Sequence, residues 1–459
     1  MRTPDEIMDG AGIGPATVDE QHQGQARMAY RLADAYGDKL MFVYGIGWHT
    51  WDGKRWIEDH HGKAKRAVLD VLRSALADSL GDKQLDRDVR RCESAAGVAG
   101  VLELAAALEP FAFTVADLDN DPYLLNTAGG TLDLRTLTVT EHNPRDRITK
   151  VTRGAYLPGS AGATWSKFLE RVLPDEDVRG FLQRLAGVGL LGVVVEQVLG
   201  ILTGTGANGK SVFYGALGHA LGDYASVAEP DLFMHREGAH PTGEMDLRGV
   251  RWVVVSESDK DRRLAEATMK RLTGGDEIKA RRMRQDFVSF RPSHTPILVT
   301  NHLPKVSGDD PALWRRMRVV PFEVVIPPEE RDPHLTEQLQ LEADAILTFA
   351  VEGYRDYVSR RGLDEPESVT VATDDYQKAS DAIARFIDEC CLINPHAYTT
   401  TADAHDRWNR WAMEDGTEPM SQKAFGQALD RRGYPAVKST GGRRVRRGLG
   451  LSTDTEEDQ

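Results

Sequence analysis

Short apolar runs recur through the middle of the chain, each stopping on small or polar residues before it reaches helix length. Val198-Leu199-Gly200-Ile201-Leu202 is the first, followed by Trp252-Val253-Val254-Val255, Pro296-Ile297-Leu298-Val299 and Val319-Val320-Pro321-Phe322. Each reads as an apolar strand. The stretch from Lys210 to about Ala220 reads as a helix, so strands and helices alternate and predict an α/β core. Upstream the rhythm changes. Residues 25–115 set a Trp-rich strand pair among helical stretches, with Trp48, Trp51 and Trp56 bracketing the hairpin signal Asp52-Gly53. Those rings read as core. Residues 121–157 give short strands joined by turns, and Thr164 to Leu191 gives amphipathic helices. The expected organisation is a disordered lead-in at 1–24, a mixed α+β accessory domain at 25–160, a nucleotide-binding core at 161–325, a helical linker at 326–380, and a C-terminal module at 381–459 with an acidic tail.

Composition narrows the class. A chain of 459 residues with 41% hydrophobic content can bury several cores without covalent staples. Cys92, Cys390 and Cys391 cannot form a disulfide framework, and no C-x-x-C or H-E-x-x-H spacing marks zinc, so a reducing, cytoplasmic setting is expected. Met1 to Gly24 is polar and no later run approaches a bilayer span, so neither signal peptide nor anchor is expected. The formal net charge of −14 argues against a basic exterior that coats nucleic acid, while leaving room for a local basic patch. Asp117, Asp119 and Asp121 alternate beside Asn120 and Pro122, which favours a solvated turn over a cation site.

Residues 204–211 read Gly-Thr-Gly-Ala-Asn-Gly-Lys-Ser, placed between an apolar strand and a helix. That is the Walker A context. Gly204, Gly206 and Gly209 allow backbone N–H groups to turn inward around phosphate oxygens, with Asn208 among the loop residues. Lys210 supplies a point charge and Ser211 a hydroxyl for Mg²⁺. The following helix presents its positive end to the same phosphates. ATP and Mg²⁺ are the ligands expected.

Further along, Arg251 to Glu257 is an apolar strand ending in a carboxylate, and Glu257 is the candidate acid that polarises the attacking water and holds Mg²⁺, with Asp259 two residues on. The strand Thr295 to Thr300 ends at Asn301, whose amide suits a γ-phosphate sensor; a turn-initiating Asn is the plainer alternative. Arg315 and Arg316 precede the last strand and can serve as an arginine finger offered to a neighbouring subunit, against the plainer fate of solvated surface arginines. Lys270 to Phe287 predicts helix, tight turn and hairpin, with Lys279, Arg281, Arg282 and Arg284 as a cationic finger for single-strand phosphates. Between Lys423 and Arg447 the chain carries eight cations, Arg443 and Arg444 among them, against Asp430 alone. On a helix-turn-strand pattern this raises the expectation of a nucleic-acid-facing module.

In order, these motifs resemble the superfamily 3 helicases of the AAA+ class, most closely the phage and plasmid primase–helicase family that includes the poxvirus primase–helicase. The resemblance rests on Gly204 to Ser211, Ser256-Glu257, Leu272-Thr273-Gly274-Gly275-Asp276, Thr300-Asn301 and Leu313-Trp314-Arg315-Arg316, and upstream on Leu125 to Leu134, which looks like the family's pre-helicase signature. It implies an AAA+ phosphate-loop core, a mixed α+β N-terminal collar, and a C-terminal winged helix from about Asp381 to Leu451. It also implies a ring, a hexamer, that threads and unwinds DNA with ATP. By position it implies Lys210 and Ser211 for phosphate and Mg²⁺, Glu257 for catalysis, Asn301 as sensor, Arg316 as finger with Arg315 as second choice, and Lys279 to Arg284 as the DNA-gripping loop.

Two departures stand out. The chain ahead of the Trp-rich segment is too short for the primase domain many relatives carry, so priming by a separate partner is expected. Ser258 separates Glu257 from Asp259, where many members have adjacent acids. The leading expectation is an ATP-dependent helicase of a phage, prophage or plasmid replication system in a bacterial host, acting on single-stranded and forked DNA. The rival is an origin-binding or scaffold protein in which ATP only controls assembly. A kinase or small GTPase fits poorly, since no Asn-Lys-x-Asp segment is present.

Overall fold

The computed structural model describes residues 22–234, 241–257, 262–281, 287–306, 310–417, 419–438 and 444–452. Its N-terminal part opens with α1 (Gly24–Tyr36), then β1 (Leu40–Val43), β2 (Gly47–Trp51), β3 (Trp56–Glu58), the helices α2 (Lys63–Asp78), α3 (Lys83–Cys92) and α4 (Ala95–Ala105), and the short β4 (Ala112–Phe113). The sheet runs β3-β2-β1-β4. As the sequence predicts, Asp52-Gly53 turns the β2–β3 hairpin: the Asp52 carboxylate accepts the N–H groups of Lys54 and Arg55, and Gly53 sits at φ 103°. Trp56 is buried, and its indole N–H donates to the Pro144 carbonyl at 2.8 Å. Helix α3 starts on Asp82, whose side chain accepts from the N–H groups of Gln84 and Leu85.

A meander follows: β5 (Leu124–Thr127), β6 (Gly130–Asp133) and β7 (Thr138–Thr140). The acidic trio that precedes it is spent on the chain itself. Asp117 accepts from Thr114, Asp119 from the N–H and hydroxyl of Thr149, and Asp121 from Tyr123 and Arg135. Among the described residues no cluster of His, Cys, Asp or Glu could hold a metal ion.

Helices α5 (Ala163–Val172) and α6 (Glu176–Val188) lead into the central layer. Its strands are β8 (Leu199–Thr203), β9 (Ala225–Ala228), β10 (Trp252–Glu257), β13 (Thr295–Thr300) and β14 (Met317–Pro321), in the spatial order β14-β8-β13-β10-β9, with every pairing parallel. The connecting elements are α7 (Lys210–Leu221), α8 (Glu266–Gly274), the hairpin β11 (Ile278–Ala280) with β12 (Val288–Phe290), and the one-turn α9 (Pro311–Trp314). Parallel strands joined by crossovers are covered on both faces, which explains the nearly unbroken apolar runs. Leu202, Val254, Ile297, Val299 and Val320 face one core, with Trp165, Phe181 and Phe213. Leu199, Ile201, Val253, Val255, Leu298 and Val319 face the other, with Phe233, Met269 and Leu272.

After the sheet come α10 (Leu335–Leu341), α11 (Ala343–Arg360) and α12 (Glu367–Ser380). These helices cover the layer rather than stand apart from it. Ile346, Leu347, Ala350 and Val351 of α11 belong to the first core, and Tyr376 of α12 stacks edge-on against Trp314 in the second. The chain closes with α13 (Ala382–Cys390), β15 (Cys391–Thr400), α14 (Thr401–Asp415), α15 (Gln422–Arg431), β16 (Ala436–Lys438) and β17 (Arg444–Leu451), the strands ordered β15-β17-β16 around Phe386, Trp408 and Phe425. No described helix is long and apolar enough to cross a membrane.

The N-terminal part is joined to the far end of α7. The Ala220 carbonyl accepts both the Arg153 and Gly154 N–H groups, at 3.0 and 3.1 Å. The Asp223 carboxylate accepts the Val151 N–H and pairs with Arg55.

Candidate nucleotide site and the surfaces around it

The loop 204–209 leaves β8 at the carboxyl edge of the sheet and delivers Lys210 to the first position of α7. Its shape depends on glycine. A Cβ on Gly204 would fall 2.4 Å from the Phe322 carbonyl oxygen, and one on Gly209, at φ 86°, would fall 2.6 Å from Cγ1 of Val172. Asn208 is buried and braces the loop by donating to the Phe322 carbonyl at 3.0 Å. The N–H of Ile326 donates to the Ala207 carbonyl at 2.8 Å.

Lys210 is only 5% exposed. Its ammonium donates to the Gly204 carbonyl at 2.8 Å, to Oδ1 of Asn208 at 3.1 Å and to Oδ1 of Asn301 at 3.2 Å. No carboxylate is among these partners, and desolvation pushes the lysine below its ordinary range. A desolvated cation held by neutral oxygens at the positive end of a helix is prepared for a polyanion. The cleft it lines measures about 300 Å³ and is bounded, among the described residues, also by Ser211, Ser256, Val299 and Thr300. These residues fit a triphosphate, with the exposed Ser211 as a hydroxyl donor to a metal.

Glu257 closes β10 in register with Thr300, one strand from the loop, and is described by its backbone alone. Asn301, the predicted sensor, follows the last residue of β13, between the loop strand and the acid strand. The structure therefore brings together Lys210, Ser211 and Asn301, with the end of β10 alongside. Asp259, Arg282, Arg284 and Arg443 lie outside the described residues.

The paired arginines separate. Arg316 is 7% exposed, donating to the Ala312 carbonyl at 2.6 Å and to Oε1 of Gln197 at 2.8 Å, and burial together with the charge of Arg315 pushes it below its usual range. Arg315 is exposed. Gln197 also donates to the Gly274 carbonyl at 3.3 Å, tying the arginine turn to the end of α8. Sequence reasoning had no signal for Gln197.

The basic C-terminal stretch divides likewise. Arg446 is 2% exposed and donates to Thr401, Asp430 and the carbonyls of Gly426 and Tyr434, while Arg432 pairs with Asp381. Arg444 and Arg447 are exposed. Lys279 and Arg281 stand exposed on the β11–β12 hairpin.

Residues 29–174 match the family described as "D5 N terminal like", and residues 202–316 match a family of unknown function (DUF5906). A protein of Acanthamoeba polyphaga mimivirus named "Putative helicase L207/L206" is 25% identical over 449 residues, covering 86% of this chain and 47% of the relative. A "Putative helicase" of Frog virus 3 (isolate Goorha) is 26% identical over 57% of this chain and 29% of its own length. A "Putative primase" of African swine fever virus (strain Badajoz 1971 Vero-adapted) is 25% identical over 65% of this chain and 34% of its own. The chain thus spans less than half the length of each of these relatives. Among solved structures, an apo form of the NrS-1 C-terminal region superposes with a TM-score of 0.52 at 11% identity, covering 92% of this chain and 99% of that one, a likeness of fold. The chain thus carries a D5 N-terminal-like region ahead of its parallel-sheet core, and the relatives it resembles are named as helicases and primases of large DNA viruses.

Proposed function

We propose that the chain is an ATP-driven DNA helicase of a phage, prophage or plasmid replication system, acting as a ring, a hexamer, on single-stranded and forked DNA in a bacterial cytoplasm, beside a separate primase. The observation that carries the reading is the convergence of Lys210 and Asn301, from the ends of the neighbouring strands β8 and β13, on one cleft at the carboxyl edge of a parallel sheet. Such an edge is where α/β sheets bind ligands. The five-stranded parallel order supports an AAA+ core, and the helices and three-stranded sheet after Asp381 support a winged helix.

In this reading Gly204, Gly206, Asn208, Gly209 and Lys210 hold the triphosphate, Ser211 and Glu257 hold Mg²⁺, and Glu257 orients the attacking water. The metal supplies charge neutralisation at the phosphates when bound. Asn301 contacts the terminal phosphate through the amide that now accepts from Lys210. A neighbouring subunit offers an arginine, and the exposure of Arg315 makes it the group free to reach across. Lys279 and Arg281 meet the strand.

The test is displacement of a labelled strand from a forked duplex under ATP. The wild-type chain unwinds it and Lys210→Ala does neither that nor DNA-stimulated ATP hydrolysis. Assembly and DNA binding with no displaced strand would replace this reading with the ATP-controlled scaffold.

A further inference from the structure

The β11–β12 hairpin keeps the in–out alternation of a half-buried strand pair but carries an aromatic ring on its outward face. Ile278, Ala280, Val288 and Phe290 point into the core, and Lys279 and Ser289 pair on the opposite face. One step nearer the tip, the same outward face carries Arg281 and, across from it, Phe287. An aromatic ring at an outward position of so short a hairpin gains nothing from the core: Phe287 is 50% exposed. Isolated exposed rings are ordinary, but this one is not isolated. The Arg281 guanidinium lies 4.6 Å and the Lys279 ammonium 5.4 Å from its centroid. Neither cation has a carboxylate partner among the described residues.

The hairpin is also held from behind. A Cβ built on Gly45, in the β1–β2 turn, would lie 3.6 Å from Cγ2 of Val288, so that turn rests against the strand leading away from Phe287. A ring on a buttressed base, flanked by two cations with no carboxylate partner among the described residues, combines an aromatic face with phosphate-binding charge. Nucleic-acid proteins use that combination to hold unpaired strands without reading sequence. Duplex DNA offers phosphates to such a surface but no free base face.

We propose that Phe287, with Lys279 and Arg281, forms a stacking platform for an unpaired base of a single strand whose adjoining phosphates the two cations hold. The proposal rests on the reading of the chain as a strand-handling enzyme and adds what the hairpin recognises: a base as well as a backbone.

The experiment measures the affinity of the full chain for oligothymidylate and for an abasic sugar–phosphate strand of equal length. Phe287→Ala is expected to weaken thymidylate binding by about tenfold or more and to leave the abasic strand unaffected. Phe287→Leu, which keeps apolar volume without a π face, follows Ala, and Phe287→Tyr restores binding. Lys279→Ala weakens both strands. Equal losses on the two strands, or thymidylate binding that survives Phe287→Leu and Phe287→Ala, would overturn the platform. If the wild type displaces no strand yet loses thymidylate selectively in Phe287→Ala, the helicase reading falls and the platform stands. If unwinding proceeds while Phe287→Ala binds both strands as the wild type does, the platform falls and the engine stands.

Discussion

The ammonium of Lys210 lies 3.2 Å from the side-chain oxygen of Asn301, 91 positions farther along the chain. In the proposed reading, a nucleotide phosphate arriving at Lys210 competes with that oxygen, which would link Asn301 to the presence of the phosphate before any hydrolysis takes place. Asn301→Ala is expected to lower kcat for ATP hydrolysis by about a hundredfold, in the range seen when one charge-stabilising group is removed from an active site. ATP affinity changes far less, because the loop glycines and Lys210 are untouched. Steady-state ATPase assays paired with nucleotide titration check both numbers.

Arg315 and Arg316 part company in a way that subunit mixing can read. Arg315→Ala is expected to lose about a thousandfold in hydrolysis without loss of fold. Mixed with Lys210→Ala, it regains activity, since each variant supplies what the other lacks across an interface. Arg316→Ala instead releases Gln197 and the Ala312 carbonyl, and shows up as a lowered melting temperature. Recovery of activity in mixtures made with Arg316→Ala but not with Arg315→Ala would reverse the assignment.

Arg446 and its neighbours make a third pair of expectations. Removing a buried guanidinium that serves four acceptors leaves the Gly426 and Tyr434 carbonyls and the Thr401 hydroxyl without it, while the exposed Asp430 turns to water, and Arg446→Ala should cost about 1 to 3 kcal/mol in urea unfolding of the C-terminal part. Arg444→Ala and Arg447→Ala are expected to stay within about 0.5 kcal/mol of wild type. They act on DNA instead, each lowering the slope of log affinity against log salt by about one.

His294 supplies a pH signature. It is 2% exposed, neither ring nitrogen has a partner among the described residues, and burial pushes it down to about 4 from an ordinary 6.5. The unfolded chain therefore binds a proton that the folded chain refuses. The stability this withholds is complete above pH 6.5 and is lost as pH falls toward 4, reaching about 3 kcal/mol. Between pH 7.5 and 5 the wild type should lose about 2 kcal/mol more than His294→Phe in urea titrations. Parallel losses in the two proteins would contradict this.

What the sequence discloses depends on whether the information is local. The 204–209 loop is readable as a tight glycine turn because its conformation follows from its own glycines, and the Asp52-Gly53 hairpin because one carboxylate caps its own turn. The strands are readable because burial on both faces leaves no polar positions to confuse the pattern. Charge is another matter. Arg315 and Arg316, or Arg446 and Arg447, are the same letter twice, and only long-range partners such as Gln197 and Thr401 decide which arginine turns inward. The same limit applies to α11: its apolar residues suit a bridging helix as well as a packed one, and the difference lies in the sheet it covers.

The last turn of α7 is finished by backbone donors from Arg153 and Gly154. Trimming the protein to a minimal catalytic fragment that starts beyond those residues would leave the Ala220 carbonyl exposed and Asp223 without Val151 and Arg55. Useful truncations must therefore keep the N-terminal part. Any exchange of that part between relatives succeeds only where the incoming piece brings a matching pair of N–H groups to the same spot.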